Sequence, residues 1–300
     1  KPFLRRAQGR AAWQSHTAMG PRPQVTSVVA AGVAAGGALV VAWRWRRWRR
    51  GERLVQVAAH PQGWWCAGLY RHENVAVKDV TFSVMLDPAL PADCAATLRR
   101  DLEVVADCMP PRAARAVADA CHIYVNLDNG RRGGETHWCA KRFVGAWWPF
   151  NLGCRTRELA VELNRWSDHG GFLLKSSDVL LHEFSHVYNG TIGRDHAAIL
   201  AMYEAAKSSG SYDCVAKVDG SQARAYGLLN HLELFASLSV AMLGGHNDYF
   251  PFTRKDLRAF DAVSFGALLA IWSHYGDDVT HWLDGEESTD AQTAAEMSGL

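Results

Sequence analysis

After residue 53, apolar side chains recur at two different periods along the chain. They alternate with polar side chains in Val80–Leu86 and His122–Leu127, which predicts β-strands. Pro91–Cys108 carries leucines and valines at helical spacing, and Pro110 predicts the end of that helix. The pattern therefore predicts a mixed α+β domain. The other predicted elements are strands at Arg142–Trp148 and Glu158–Asn164, a helix at Arg112–Ala120, a loop at Asp128–Gly134, and mostly helix from Asp178 onward.

One uncharged run, Gln24–Trp43, differs from the rest of the pattern. As a helix it would be about as long as a bilayer core is thick. Buried soluble helices of this length usually have a polar face, and a signal peptide carries its positive charge before the apolar run. Because the strongest charge here follows the run, we predict a single transmembrane helix over residues 25–43, in contact with the lipid bilayer. A buried helix and a signal peptide are the alternatives.

Charge is distributed unevenly, although the formal net charge is only +1. Residues 1–53 hold eleven of the 32 Lys and Arg residues and one of the 31 acidic residues, for a net charge of +10. The remaining 247 residues therefore carry −9. We interpret residues 1–24 as a basic tail and residues 44–53 as a basic juxtamembrane segment, whose tryptophans and arginines suit a membrane interface. The acidic body argues against nucleic acid as a partner.

The basic residues also predict an orientation and a membrane. Six arginines in residues 44–53 outweigh five cations in residues 1–24, which places the C-terminal domain on the cytosolic or matrix side. Residues 1–24 contain arginine, alanine and no acid, like the remnant of an organellar transit sequence, so we expect the mitochondrial inner membrane. Seven cysteines without a CxxC pair indicate a reducing compartment. Residues 286–300 are predicted to form an acidic flexible tail.

The candidate chemistry lies in the predicted helix Asp178–Asn189, which Gly190 is expected to end. The helix contains an HExxH sequence between His182 and His186. This i, i+4 spacing puts both imidazoles on one helix face, where they can bind one metal ion, while Glu183 is turned toward a metal-bound water. A chance match is the alternative interpretation.

A third metal ligand is expected further along the chain. Residues Gln222–Gly245 have an apolar pattern that predicts a second helix. Its polar residues would form one stripe along that helix: Tyr226, Asn230, Glu233 and Ser237. A buried glutamate needs a partner, and a zinc ion would be one. The alternative is a partly exposed Glu233 in a salt bridge.

The two predicted helices together resemble those of a known family. HEFSH is followed 47 residues after its last histidine by Glu233, and Tyr226 lies seven residues before that glutamate. This arrangement resembles the lethal-factor-like branch of the gluzincin-type zinc metallopeptidases. The stretches GSYDCVAKVDGSQARAYGLLNHLELF and DYFPFTRKDL are also similar to uncharacterised metallopeptidases of that kind. The resemblance covers roughly residues 75–275.

The resemblance implies a site and a reaction. His182, His186 and Glu233 would be zinc ligands, Glu183 would be the general base, and Tyr226 would donate a hydrogen bond to the developing oxyanion. The reaction would be hydrolysis of a peptide bond by zinc-activated water.

The resemblance also implies a fold and a position for the substrate. Residues 54–285 would form a zincin-like domain with a small mixed sheet, the HExxH helix and a helical C-terminal half. A peptide or protein substrate would lie along an exposed strand edge, and His122–Leu127 or Glu158–Asn164 would supply that edge.

One departure from the family pattern leaves two functions open. The family usually has a second acid four residues after the ligand glutamate, but this chain has Ser237, and Leu234 replaces the usual aromatic residue. Outer carboxylates orient histidine ligands and strengthen metal binding. We expect a membrane-anchored zinc endopeptidase. The alternative is an accessory subunit of an organellar membrane complex, in contact with other subunits, that retains this fold with little or no activity.

Overall fold

The computed structural model describes residues 54–57, 68–128, 134–138, 159–166 and 176–283. Five predicted features lie wholly outside these residues: the basic tail, the transmembrane helix, the juxtamembrane segment, the strand at Arg142–Trp148 and the acidic tail. Residues 129–133 of the predicted loop lie outside them as well. Within the described part of the chain, no helix is long and apolar enough to cross a membrane.

Six strands form one mixed sheet in the order β1-β2-β3-β4-β6-β5. Strands β3, β4 and β6 run parallel, and the pairs β1–β2, β2–β3 and β5–β6 are antiparallel. The prediction of an α+β domain with a small mixed sheet is therefore confirmed. The strands are β1 Leu54–Val57, β2 Gly68–Val77, β3 Val80–Leu86, β4 Cys121–Val125, β5 Gly134–Trp138 and β6 Leu159–Leu163.

Most of the described helices follow the sheet in the sequence, as predicted. A short two-stranded sheet and two 3-10 turns lie among them. The helices are α1 Cys94–Cys108, α2 Pro111–Ala120, α3 Ser176–Ile192, α4 Ala197–Ser209, α5 His231–Met242, α6 Arg254–Phe260 and α7 Ala262–Trp272. The short strands are β7 Val215–Ala216 and β8 Gln222–Ala223, and the 3-10 turns are Tyr226–Leu229 and Thr280–Trp282.

The helix predicted over Gln222–Gly245 is wrong in its first half. Strand β8 and a 3-10 turn occupy that half, and α5 begins only at His231. Asn230 is extended, with φ −163° and ψ 173°, and its side chain caps α5, so the helix cannot continue backward through this residue. Helix α3 also differs slightly from its prediction, because Gly190 lies inside it and the helix runs to Ile192.

One face of the sheet packs against the helices and forms the core. Phe82 on β3 stacks on Phe184 of α3, with ring centroids 5.6 Å apart. Both rings are buried, which fixes α3 against the middle of the sheet. Because Phe184 lies between the two histidines of α3 in sequence, this packing leaves the histidine face of the helix for α5.

The opposite face of the sheet carries polar side chains that are buried around β4 and β6. The Tyr70 hydroxyl donates to Asn126 Oδ1, and Asn126 Nδ2 donates to Glu162 Oε1, both at 2.8 Å. Glu162 is fully buried, and hydrogen bonds of this kind offset the cost of removing a carboxylate from water.

The two strands expected to offer a free edge do not do so. Strand β4 pairs with β3 and β6, and β6 pairs with β4 and β5, so both are internal strands. That expectation is wrong because Gly134–Trp138, which starts at the last residue of the predicted loop, forms an extra antiparallel strand beyond β6. Within the described sheet, β5 is the edge strand on this side, and it packs against α3.

Candidate metal centre

Helix α3 presents two histidines at one point. His182 and His186 are one turn apart, and their Nε2 atoms are separated by 3.1 Å. Their rings are nearly perpendicular, with centroids 4.8 Å apart. Both side chains are mostly buried, so their ring nitrogens face a site that is partly shielded from water.

Helix α5 brings Glu233 to the same point. Its Oε2 atom lies 3.1 Å from His182 Nε2 and 3.4 Å from His186 Nε2. Asn230 Oδ1 accepts hydrogen bonds from the backbone amides of Leu232 and Glu233, at 2.9 and 3.0 Å. This cap fixes the first turn of α5 and with it the backbone of Glu233. The structure thus brings together the three residues that the sequence proposed as ligands.

The geometry of these three atoms fits a tetrahedral metal ion. A zinc ion with bonds of about 2.0–2.1 Å places its ligand atoms roughly 3.3 Å apart. The observed separations are 3.1, 3.1 and 3.4 Å, and two imidazoles with one carboxylate form a donor set common at zinc.

Hydrogen bonds cannot join all three pairs of atoms in this triangle at once. The Glu233 carboxylate accepts but does not donate, so both Nε2 atoms must carry a proton to bond it. The two N–H groups of His182 and His186 would then face each other across 3.1 Å. A cation accepts a lone pair from all three atoms at once, which makes the site suited to a metal.

The ionisation of two groups reflects the same proximity. Burial opposes the charged form of Glu233, but its hydrogen bonds with His182 and His186 hold its pKa well below the usual range. Burial also disfavours protonated His186, yet the bond with Glu233 and the negative charges of Glu183 and Glu233 raise its pKa. The negative charges of Glu233 and Glu183 thus favour a positive charge at this centre.

Glu183 lies beside the three converging atoms without being one of them. It follows His182 directly on α3, and its side chain is only 5% exposed. Its charge raises the pKa values of His186 and Tyr226. Glu183 is therefore a buried carboxylate next to the candidate metal position, as expected from the HExxH spacing.

Tyr226 reaches the centre from the 3-10 turn Tyr226–Leu229 rather than from α5, so the single polar stripe predicted on one helix is wrong. Its ring centroid lies 6.3 Å from that of His182. Burial, followed by the charges of Glu233 and Glu183, raises the pKa of Tyr226 to about 12. The residue as a whole is 46% exposed.

The sequence interpretation missed two residues that support this arrangement. Asn230 was placed on the polar stripe, but it is the N-cap of α5. An Asn three residues before a Glu is a sequence signal for the start of a helix. Gly227 lets the turn approach α5, since a Cβ there would lie 3.0 Å from Leu234 Cα. No sequence signal marks that close approach. Ser237 is buried one turn beyond Glu233, at the position where the family that the sequence resembles has an acid.

No family model matches the chain, and comparison with curated proteins and with solved structures gives no match either.

Proposed function

We propose that this protein is a zinc-dependent peptidase that holds its metal through His182, His186 and Glu233. The observation that carries the proposal is the convergence of these ligand atoms from two helices, all within 4.8 Å of one another. Three protein ligands leave a fourth position for water or substrate, which is the pattern of catalytic zinc sites. The resemblance to gluzincin metallopeptidases, with a zincin-like fold over residues 54–285, supports the same function.

The chain supplies two groups for the reaction. When bound, zinc supplies Lewis acidity that polarises the substrate carbonyl and lowers the pKa of water. Glu183 accepts a proton from the attacking water and returns it to the leaving amine. The Tyr226 hydroxyl keeps its proton at neutral pH, because its pKa is about 12, and donates a hydrogen bond to the developing oxyanion.

Strand β5 offers the best place for the peptide substrate. It is the edge strand beyond β6 in the described sheet, and it packs against α3, the helix of the two histidines. An extended peptide can add to such an edge through main-chain hydrogen bonds. A peptide along β5 would pass close to the proposed metal-binding face of α3. Strand β5 thus replaces the internal strands β4 and β6 as the strand expected to bind the substrate.

Ser237 favours a second candidate function. Loss of the outer acid typically lowers metal affinity or activity about 10–100-fold. An accessory subunit of a membrane complex could keep the zinc and the fold without cleaving peptides. For both candidate functions we propose that residues 25–43 anchor the chain in a membrane, with the mitochondrial inner membrane as the leading hypothesis and the site on its matrix side.

Metal analysis and peptide cleavage by the full chain separate these functions. We expect one equivalent of zinc, and cleavage of a peptide library that falls at least about 100-fold in Glu183→Gln with zinc retained. Glu103→Gln makes the same chemical change at an exposed position of α1 and should leave cleavage unchanged. Bound zinc without cleavage by either the wild type or Glu183→Gln would exclude the peptidase. Absence of zinc would exclude the site itself.

A further inference from the structure

The 3-10 turn that carries Tyr226 also carries an exposed leucine. Leu229 is 63% exposed, whereas its neighbour Leu228 is 2% exposed and belongs to the core. In a 3-10 helix the side chains at i and i+3 lie on the same side. Leu229 therefore lies on the same side of the turn as Tyr226, whose ring is 6.3 Å from that of His182.

The turn is held firmly in this orientation. Gly227 packs against the backbone of Leu234 in the first turn of α5. The Tyr203 hydroxyl of α4 donates to the carbonyl oxygen of Leu228 at 3.4 Å. With Leu228 buried between these contacts, the turn cannot rotate to bury Leu229. The leucine is thus held on the Tyr226 side of the turn.

We propose that Leu229 is a specificity-determining residue that binds an apolar side chain of the peptide substrate close to the cleaved bond. This inference rests on the proposed function, because it assumes that a peptide lies across the centre. A 3-10 helix rises about 2.0 Å per residue, so Leu229 lies about 6 Å along the turn from Tyr226. An extended peptide rises about 3.3 Å per residue. The side chain in contact with Leu229 therefore lies within about two residues of the carbonyl that Tyr226 contacts.

The chemistry of Leu229 sets the expected preference. Contact with an apolar peptide side chain removes both apolar surfaces from water, whereas a charged or hydroxyl side chain would lose hydration without gaining a hydrogen bond. Discrimination of this kind in an apolar contact is about tenfold or more. We expect leucine or phenylalanine to be preferred over serine or aspartate at one peptide position.

Peptide binding tests this preference without relying on turnover. The protein is the zinc-loaded full chain carrying Glu183→Gln, and the probes are fluorescein-labelled octapeptides with Leu, Phe, Ser, Asp or Lys at each position in turn. Fluorescence anisotropy should show about tenfold tighter binding of Leu or Phe at one position. Adding Leu229→Arg should remove that preference and create one for Asp at the same position.

A matched control and a milder variant complete the test. Val263 on α7 is a similarly exposed apolar residue, at 71%, so Val263→Arg should leave the peptide preference unchanged. If Leu229→Arg does not fold or loses zinc, Leu229→Ser is measured in its place. This variant should weaken the preference for an apolar peptide side chain without creating a preference for Asp. Failure of Glu183→Gln to bind any of these peptides, or an identical preference in the Leu229 variants, would overturn the inference. Failure of the proposed function would appear separately, as absence of cleavage by the wild-type chain.

Discussion

At the scale of single residues, the candidate centre has three converging ligand atoms and two further polar side chains beside them. Two imidazole nitrogens and the Glu233 carboxylate converge on one point, and Glu183 and Tyr226 lie beside that point. His231, the first residue of α5, does not join them. Its Nε2 lies 3.8 Å from an oxygen of Asp195 instead. This separation lets the outer groups be changed without removing a metal ligand.

Tyr226→Phe tests the residue that the sequence placed on the wrong element. The substitution removes only the hydroxyl, so we expect kcat to fall about 100-fold, as for loss of one oxyanion donor. The zinc content and KM should stay nearly unchanged, because Tyr226 is not among the three converging ligands. Steady-state kinetics with metal analysis measures both.

The control for Tyr226→Phe is Tyr275→Phe. Tyr275 packs against Tyr188 and His274 rather than at the candidate centre. Its hydroxyl should be dispensable for cleavage. Equal loss of activity in both variants, or loss of zinc from Tyr226→Phe, would contradict the assigned role.

At the scale of elements, the close packing of the 3-10 turn on α5 positions Tyr226. A methyl group at Gly227 would lie 3.0 Å from Leu234 Cα, so Gly227→Ala must separate the turn and the helix by a few tenths of an ångström. We expect kcat to fall about tenfold with zinc retained, because small displacements of catalytic groups are costly.

Gly266→Ala provides the matched control. Gly266 lies within α7, and a Cβ there would meet no heavy atom within 4 Å. Alanine in a helix is favoured over glycine by roughly 0.5–1 kcal/mol, so this variant should be at least as stable as the wild type, and fully active. Activity of Gly227→Ala equal to that of Gly266→Ala would show that the turn does not position Tyr226.

Local patterns predicted the elements that depend on neighbouring residues. Strand β3 occupies the predicted residues Val80–Leu86, and Pro110 separates α1 from α2 as expected. The predicted helix over Gln222–Gly245 failed because its apolar residues continue across Asn230, whereas the cap that stops the helix depends on one side chain. Strand β5 was missed because its five residues include charged and polar side chains next to a glycine-rich loop.

The candidate site could be predicted only in part for the same reason. The i, i+4 spacing of His182 and His186 is local, so the sequence alone placed them on one helix face. The convergence of Glu233 with the histidines depends on the packing of α5 on α3, between residues distant in sequence. The sequence could suggest it only as a buried glutamate on an apolar helix and through the resemblance to a known spacing. The position of Leu229 beside Tyr226 could not be predicted, because it depends on the 3-10 turn.

At the scale of the whole molecule, an aromatic stack joins α3 and α5, the two helices that carry the candidate metal centre. The Trp272 ring of α7 is nearly parallel to Tyr188 of α3 and Phe235 of α5, with centroids 4.1 and 5.9 Å away. The Trp272 Nε1 donates to Ser239 Oγ of α5 at 3.1 Å. Since one ring contacts both helices, we expect the candidate metal centre and the stability of the fold to be linked.

Trp272→Ala should therefore lower both stability and zinc affinity. Loss of a buried tryptophan costs about 3–5 kcal/mol of the free energy of unfolding, which urea denaturation of the full chain measures. Saturating zinc should restore part of that loss, because a metal that binds only the folded state stabilises it. Val263→Ala, at an exposed position of the same helix, should change the free energy by less than about 0.5 kcal/mol. A wild-type zinc affinity in Trp272→Ala would argue against the linkage.

The central claim is that His182, His186 and Glu233 hold one zinc ion. The most direct test is the zinc K-edge X-ray absorption spectrum of the full chain with one equivalent of zinc. The predicted spectrum has only nitrogen and oxygen neighbours at about 2.0–2.1 Å, with the outer-shell signals of two imidazoles. The chain also contains seven cysteines, which could compete for the metal. Sulfur neighbours at about 2.3 Å, or failure of the chain to retain zinc, would contradict the claim.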